Sequence, residues 1–180
     1  RVTDDVSLHL LELRDAEELQ GVIDTNRAHL REWLPWVDGA TTVEGARVFI
    51  RNTRRQIAAD NGFQTGIRYQ GRLVGVIGFN GAGGPSREGR IGYWLAADAQ
   101  GKRIMTSACR AYVSHAFTSM GLNRLQIRAA VGNTRSRAVP ERLGFVHEGT
   151  LRQAEWLYDH FVDHAVYGLL SQEWETNGSR

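Results

Sequence analysis

The segment Gln100-Gly101-Lys102-Arg103-Ile104-Met105-Thr106 runs from a polar loop straight into an apolar stripe: Met105, Ala108, Cys109, Tyr112, Val113, Ala116 and Phe117. Recurrence at three- and four-residue steps predicts an amphipathic helix starting near Lys102, with one face in a core. A helix entered from such a loop presents free backbone N–H groups and the positive end of its dipole, which suits an anion. A second junction, Asn133-Thr134-Arg135-Ser136-Arg137-Ala138-Val139-Pro140-Glu141-Arg142-Leu143-Gly144-Phe145, sets amide and hydroxyl side chains at the start of a short helix. Gly144 ends that helix and Phe145 leaves it as a strand. Two helix starts of this kind suit a ligand with phosphates at one end and a reactive group at the other.

Around these junctions the pattern alternates between the two periods. Val6 to Leu13 reads as a strand, and Asp15 with Glu18 as a capping box opening a helix with Leu19, Val22 and Ile23. An aromatic stretch, His29 to Trp36, follows; Thr41 with Glu44 then caps a helix whose apolar face is Ala46, Phe49, Ile50 and Ile57. Strands are expected at Phe63 to Tyr69, Leu73 to Phe79 and Arg90 to Leu95, with a turn at Gln70-Gly71 and a Gly-rich loop from Asn80 to Gly89. Leu125, Ile127 and Ala129 alternate as another strand. Leu151 to Leu157 and Phe161 to Ser171 form a hairpin turning at Tyr158-Asp159-His160. The order predicts one α/β domain over residues 1–180, with 175–180 as a polar tail.

Composition narrows the function classes. The 180 residues are 42% hydrophobic and 23% charged, a globular balance, with no apolar run long enough to span a membrane. Residue 1 is Arg, so a trimmed N-terminus is expected; no secretory leader is visible, and the single cysteine, Cys109, cannot form an internal disulfide. Cytoplasmic location is therefore expected. Of 22 basic residues 21 are Arg, but acids are interspersed and the net charge is only +2. That distribution argues against a nucleic-acid face, Arg51, Arg54 and Arg55 being the one local cluster.

In this order and spacing the segments resemble the GNAT acetyltransferases, and within them the RimJ/RimL-type N-terminal acetyltransferases of ribosomal proteins. The resemblance runs from the first strand to Trp174. It implies a GNAT-like domain with a mixed, mostly antiparallel sheet of about seven strands, a splayed central pair and about four helices. Ile91-Gly92-Tyr93-Trp94-Leu95 is similar to the family's central strand, and Gln100 to Met105 to its pyrophosphate loop. Where that loop usually has its first Gly this chain has Arg103, whose side chain makes unusual torsions costly but whose guanidinium could pair with phosphate. Met105 replaces the final small residue.

The resemblance implies acetyl-CoA as acyl donor, with no metal. Trp94, Leu95, Gln100, Gly101, Lys102, Arg103, Ile104, Met105, Thr106, Asn133, Ser136 and Arg137 would bind it, and Trp94 or Leu95 would offer an N–H to the oxyanion. It also directs attention to Glu155, in the Gln153-Ala154-Glu155 segment, as a base acting through water. Strand alternation would place Glu155 on one face with Leu151, Gln153 and Leu157, where apolar neighbours suit a general base. Glu148 is a second candidate base. Ser136 could protonate the leaving thiolate from a helix N-terminus; the plainer reading is an N-cap. Trp33, Trp36, Tyr93 and Trp156 are candidates for an acceptor groove, with core packing as the plainer reading.

The acceptor expected is a protein N-terminal α-amine, a ribosomal one by the resemblance, attacked directly in a ternary complex. A small-molecule amine, polyamine or antibiotic, is the alternative in the same class, and a non-catalytic CoA-binding module the alternative outside it. A homodimer is expected from relatives. His160 and His164, with Asp159 and Asp163, have ligand-type side chains at metal-site spacing, but a turn at His160 would take it out of strand geometry.

Overall fold

The computed structural model describes residues 1–178. Seven strands form one sheet in the order β1-β2-β3-β4-β5-β7-β6: β1 Val6–Leu10, β2 Gln64–Tyr69, β3 Arg72–Gly83, β4 Glu88–Leu95, β5 Arg124–Ala130, β6 Val146–Leu157 and β7 His160–Leu170. Six α-helices accompany them, two more than expected: α1 Ala16–Thr25, α2 Arg27–Arg31, α3 Val43–Ala58, α4 Ile104–Thr118, α5 Thr134–Arg142 and α6 Ser171–Gly178. The additional pair are the single turn α2, which runs into the aromatic stretch, and α6. The latter begins at Ser171, expected in the last strand, and takes in most of the expected tail; 179–180 lie outside the described residues.

Every neighbouring pair of strands is antiparallel except β4 and β5. The parallel pair is short: Glu88 to Ile91 stand opposite Arg124 to Ile127, and the register ends there. Past Ile91, β4 stays with β3 as far as Leu95, while β5 stays with β7 as far as Ala130. The sheet therefore opens into a wedge at its centre, as expected of a splayed pair.

The apolar stripe of α4 packs against one face of the sheet. Ala108, Cys109, Tyr112 and Val113 are fully buried there with Ile77, Phe79, Leu125 and Ile127. Tyr112 satisfies its hydroxyl by donating to the Ile77 carbonyl at 2.9 Å. On the other face α1 and α3 enclose a second core of Leu11, Leu19, Ile23, Ile50, Leu73 and Val76.

Several boundaries differ from the sequence expectation. Asp15 does not form a box with Glu18; its carboxylate accepts from the Glu12 N–H at 2.8 Å in a 3-10 turn ahead of α1. Glu18 instead accepts from the Leu73 N–H and from both terminal nitrogens of Arg68 (2.9, 3.1 and 2.7 Å), tying α1 to the β2–β3 hairpin. The cap of α3 is Thr42, one residue after Thr41, and Ile57 is exposed. The loop expected over Asn80–Gly89 is mostly strand: β3 continues to Gly83 through a bulge after Phe79, leaving a turn at residues 84–87.

Although burial opposes it, the Arg68 bonds and the Leu73 amide hold the Glu18 carboxyl below the usual carboxylate range. A depressed folded-state value stabilises the fold above the unfolded-chain pKa, and that contribution is lost as pH falls through the folded value. Glu18→Gln is therefore expected to lower stability at pH 7, with the gap from wild type shrinking as pH falls through the depressed folded-state value. Urea unfolding at several pH values checks this, and a pH-independent gap would contradict it.

Candidate active site

The wedge carries two chambers that meet at its apex. One, of about 790 Å³, lies on the side of the loop that enters α4; the other, of about 760 Å³, lies toward the β6–β7 hairpin. Trp33, Leu34, Tyr93, Trp94, Asn133 and Ser136 line both. Leu95, Gln100, Gly101, Arg103, Ile104, Met105 and Thr106 line the loop-side chamber alone. Trp36, Ala154, Glu155 and His164 line the hairpin-side one.

Where β4 leaves β5, its outer edge loses its ladder partner. Ala96 N–H donates to the Val74 carbonyl at 2.7 Å, and antiparallel alternation then turns the Trp94 amide toward Val76 and the Leu95 amide into the gap. Of the two amides expected for an oxyanion, only that of Leu95 is left facing the wedge.

Across the gap stands α5, and Tyr93 ties it to β4. Pro140 lies inside α5 and has no N–H, so the Ser136 carbonyl four residues earlier lacks its helical donor. The Tyr93 hydroxyl supplies that donor at 2.9 Å. Burial pushes the Tyr93 phenol far up, so it stays protonated and donates. Asn133, not Ser136, is the N-cap: its Oδ1 accepts from the Ser136 N–H at 3.1 Å. Ser136 is thus inside the first turn, and no described residue bonds its hydroxyl.

Arg103 occupies the residue before α4 at φ 58°, ψ 9°, the left-handed conformation that glycine adopts without penalty. The loop thus keeps its shape without its usual residue. Gln100 links it to both neighbouring helices: its amide nitrogen meets His29 Nε2 at 3.0 Å, and its oxygen accepts from Arg135 at 2.6 Å. Two expected contributors fall away. Lys102 reaches back over the Tyr69 ring, 5.3 Å from its centre, and lines neither chamber. Arg137 donates to the Tyr167 hydroxyl and the Val131 carbonyl and likewise lines neither.

Glu155 reaches the wedge past an irregularity in β6. The β6–β7 register shifts between Leu151 and Glu155, with Gln153 at φ 49°. Asp163 fills this bulge by accepting from the Gln153 N–H at 2.7 Å. Leu151 and Glu155 stand opposite His164 and Val162, which alternate onto one face, so the two still share a face across the bulge, as expected; Leu151 is exposed, and the Glu155 carboxylate lies 3.3 Å from His164 Nε2. Trp156, the next residue, faces outward, 52% exposed against Phe161, and lines neither chamber. Glu148 is spent on Arg124 at 2.7 Å, which holds its carboxyl below the usual range. His160 belongs to β7, not to the turn; it pairs with the adjacent Asp159. Among the described residues no three His, Cys, Asp or Glu side chains cluster as metal ligands.

The helix-start loop, the parted strand and the second helix start thus converge on one wedge. Residues 5–146 match the acetyltransferase (GNAT) domain family. The chain belongs to this GNAT family. It is 40% identical over 176 residues, covering 97% of this chain and 96% of the relative, to YdaF of Bacillus subtilis (strain 168), provisionally named a ribosomal N-acetyltransferase. It is 30% identical over 170 residues (94% and 95%) to the ribosomal-protein-serine acetyltransferase of Escherichia coli (strain K12). Among solved structures, RimL, the ribosomal L7/L12 α-N-protein acetyltransferase in complex with coenzyme A, superposes with TM-score 0.92 at 26% identity, covering 96% of this chain and 98% of that one. The microcin C7 self-immunity acetyltransferase MccE, in complex with acetyl-CoA and AMP, superposes at 0.89 with 29% identity and 94% coverage of both. This GNAT protein is an acetyl-CoA-dependent N-acetyltransferase.

Its one cysteine is not placed for covalent chemistry. Cys109 is wholly buried under α4, and burial pushes its thiol up to about 12. Tyr93→Phe should cost about 1 kcal/mol in urea unfolding, because it strands the half-buried Ser136 carbonyl. The same change in a Pro140→Ala background, where residue 140 regains its N–H, should cost clearly less. Equal costs in both backgrounds would refute the bridging role of Tyr93.

Proposed function

We propose that this enzyme acetylates the α-amino group of a protein N-terminus, by direct attack of the amine on the acetyl-CoA thioester. The observation that carries this reading is the division of labour across the wedge. Ser136 lines both chambers, Glu155 lines only the hairpin side, and the amides of the α4 entry loop line only the other. Residues 100–106 would hold the pyrophosphate on backbone N–H groups, with the Arg103 guanidinium adding charge where a glycine is usual. The unpaired edge of β4 offers partners to an extended, amide-bearing arm, and the Leu95 N–H would meet the developing oxyanion.

Proton flow then follows from the placement of the two side chains. Glu155, positioned by His164, takes a proton from the amine, through water. An α-amine needs little help, since its unperturbed pKa of about 7.7–8.0 lies well below the roughly 10.4 of lysine. Ser136 donates a hydrogen bond to the departing thiolate, which a thiol pKa of about 8.5 makes stable enough to leave without a strong acid. The names of the YdaF, E. coli and RimL relatives support a ribosomal protein as acceptor. The MccE likeness, with its bound AMP, supports a small amine as the second reading. We place the enzyme in the cytoplasm; among the described residues no helix is long and apolar enough to cross a membrane. We also propose a homodimer, for which the exposed Val146, Leu151, Trp156 and Phe161 on the terminal hairpin offer apolar surface.

Glu155→Gln should lower kcat on the order of a hundredfold, a typical loss for a missing general base. Ser136→Ala should lower it by about tenfold while calorimetric acetyl-CoA binding persists. Wild-type kcat in Glu155→Gln would remove Glu155 from the mechanism. A peptide with a blocked N-terminus and a free lysine should react poorly, and efficient lysine acetylation in a mass-spectrometric assay would sink the α-amine assignment.

A further inference from the structure

The hairpin-side chamber does not close on itself. Asn80, Arg90 and Arg128 line it and also line a shallow trough of about 360 Å³ running outward along the β3–β4 hairpin. Arg90 on β4 and Arg128 on β5 sit where the two strands begin to part, and both are exposed. Arg90 donates to the Asn80 carbonyl at 3.0 Å, and Arg128 donates through Nε to Gln126 Oε1 at 2.6 Å. These bonds orient the guanidinium groups and neutralise neither. Among the described residues no carboxylate lies within 4.0 Å of either one. Glu155 is the one carboxylate lining the chamber, and Glu88 in the trough is engaged by Arg124 at 3.8 Å.

Two uncompensated cations at the entrance are the wrong furniture for a cationic acceptor. A polyamine, or any amine with several ammonium groups, would meet like charge on approach. An acceptor carrying negative charge a few atoms from its amine would instead be drawn in and oriented, because a guanidinium matches a carboxylate in two parallel hydrogen bonds. We infer that Arg90 and Arg128 form an anion-reading subsite that selects N-terminal segments with acidic residues just after the reacting amine. This rests on the α-amine reading above and narrows its substrate class. A peptide fits better than a compact phosphorylated amine, because the trough prolongs the chamber outward as an open channel, as an extended chain requires.

The test uses hexapeptides sharing one free N-terminal residue, with acidic, neutral or basic side chains at positions two to four, and phosphoethanolamine as the phosphate-bearing arm. For the intact enzyme, kcat/KM for the acidic peptide should exceed that for the neutral one by about tenfold, about 1.4 kcal/mol. The basic peptide should be the poorest. The advantage should fall with added salt, as expected of exposed charges. In R90Q/R128Q the acidic-to-neutral ratio should drop to about one, and R90K/R128K should restore part of it. Equal kcat/KM for acidic and neutral peptides, or a ratio that survives R90Q/R128Q, overturns the subsite. Preference for phosphoethanolamine over every peptide overturns the assignment to a peptide. Should no peptide be acetylated, the α-amine reading fails separately, and peptide binding to the enzyme–CoA complex by fluorescence anisotropy decides the subsite. Acidic-selective binding lost in R90Q/R128Q upholds it, and unselective binding overturns it.

Discussion

The structure depends on the parting of β4 from β5 after Ile91 and Ile127. Until that point the two strands share a parallel ladder, and beyond it each keeps only its antiparallel partner. Opening a sheet at its centre creates internal edges whose amide and carbonyl groups need partners. Part of the answer is α5, which fills the mouth of the gap and is itself incomplete. Pro140 removes the donor that Ser136 would have used, and Tyr93 from the parted strand returns one. Strand and helix are thereby fixed at the distance that leaves a wedge between them, and Ser136 is presented at its apex. The remaining unpaired edge of β4 is available to a ligand.

Polar pairs keep the walls of that wedge in place. Gln100 holds the α4 entry loop to α2 through His29 and to α5 through Arg135. Asn26, between α1 and α2, accepts from the Ala97 N–H at 2.8 Å. The Tyr158 hydroxyl donates to the Leu34 carbonyl at 2.6 Å, joining the β6–β7 turn to the aromatic segment. Each links elements far apart in sequence. Such contacts are few and specific, which explains how short, solvent-edged helices can hold a site without a large core of their own.

Much of the fold was legible because its signals are local. The α4 stripe, the alternating strands and the two helix starts each follow from residues within one element. Candidate residues on those elements gather as expected, Gln100, Gly101, Arg103 to Thr106, Asn133, Ser136, Trp33 and Trp36 all lining the wedge. What failed was geometry set between elements. Strict alternation places Glu155 on the face of Leu151, and the register keeps it there, but no local pattern announces the bulge capped by Asp163 that lies between them. Lys102 was drawn to the loop by its charge, whereas a long flexible side chain finds the Tyr69 face instead. Trp156 lines neither chamber, since neighbouring strand residues point to opposite faces and Glu155 takes the inner one. His164 was weighed only as a metal ligand. Its pairing with Glu155 becomes visible once the β6–β7 register is known.

The distribution of charge along the wedge also explains a chain that tolerates Arg103 in a left-handed conformation. A glycine there would avoid a backbone cost of roughly 1–2 kcal/mol, so the side chain must contribute something glycine cannot. The loop-side chamber is lined by Arg103, Arg135 and Arg142 with Glu32 as its one carboxylate, and Arg135 is already oriented by Gln100. A polyphosphate end of a donor would find guanidinium groups there, beyond the backbone amides that the loop supplies. At the opposite end Arg90 and Arg128 repeat the same sign, and Glu155 sits between the two cationic ends. Such a wedge repels a polycation from both sides and tolerates one positive charge only where Glu155 can receive it. A single amine attached to an acidic body satisfies that field along its whole length, and a free polyamine satisfies it at one point.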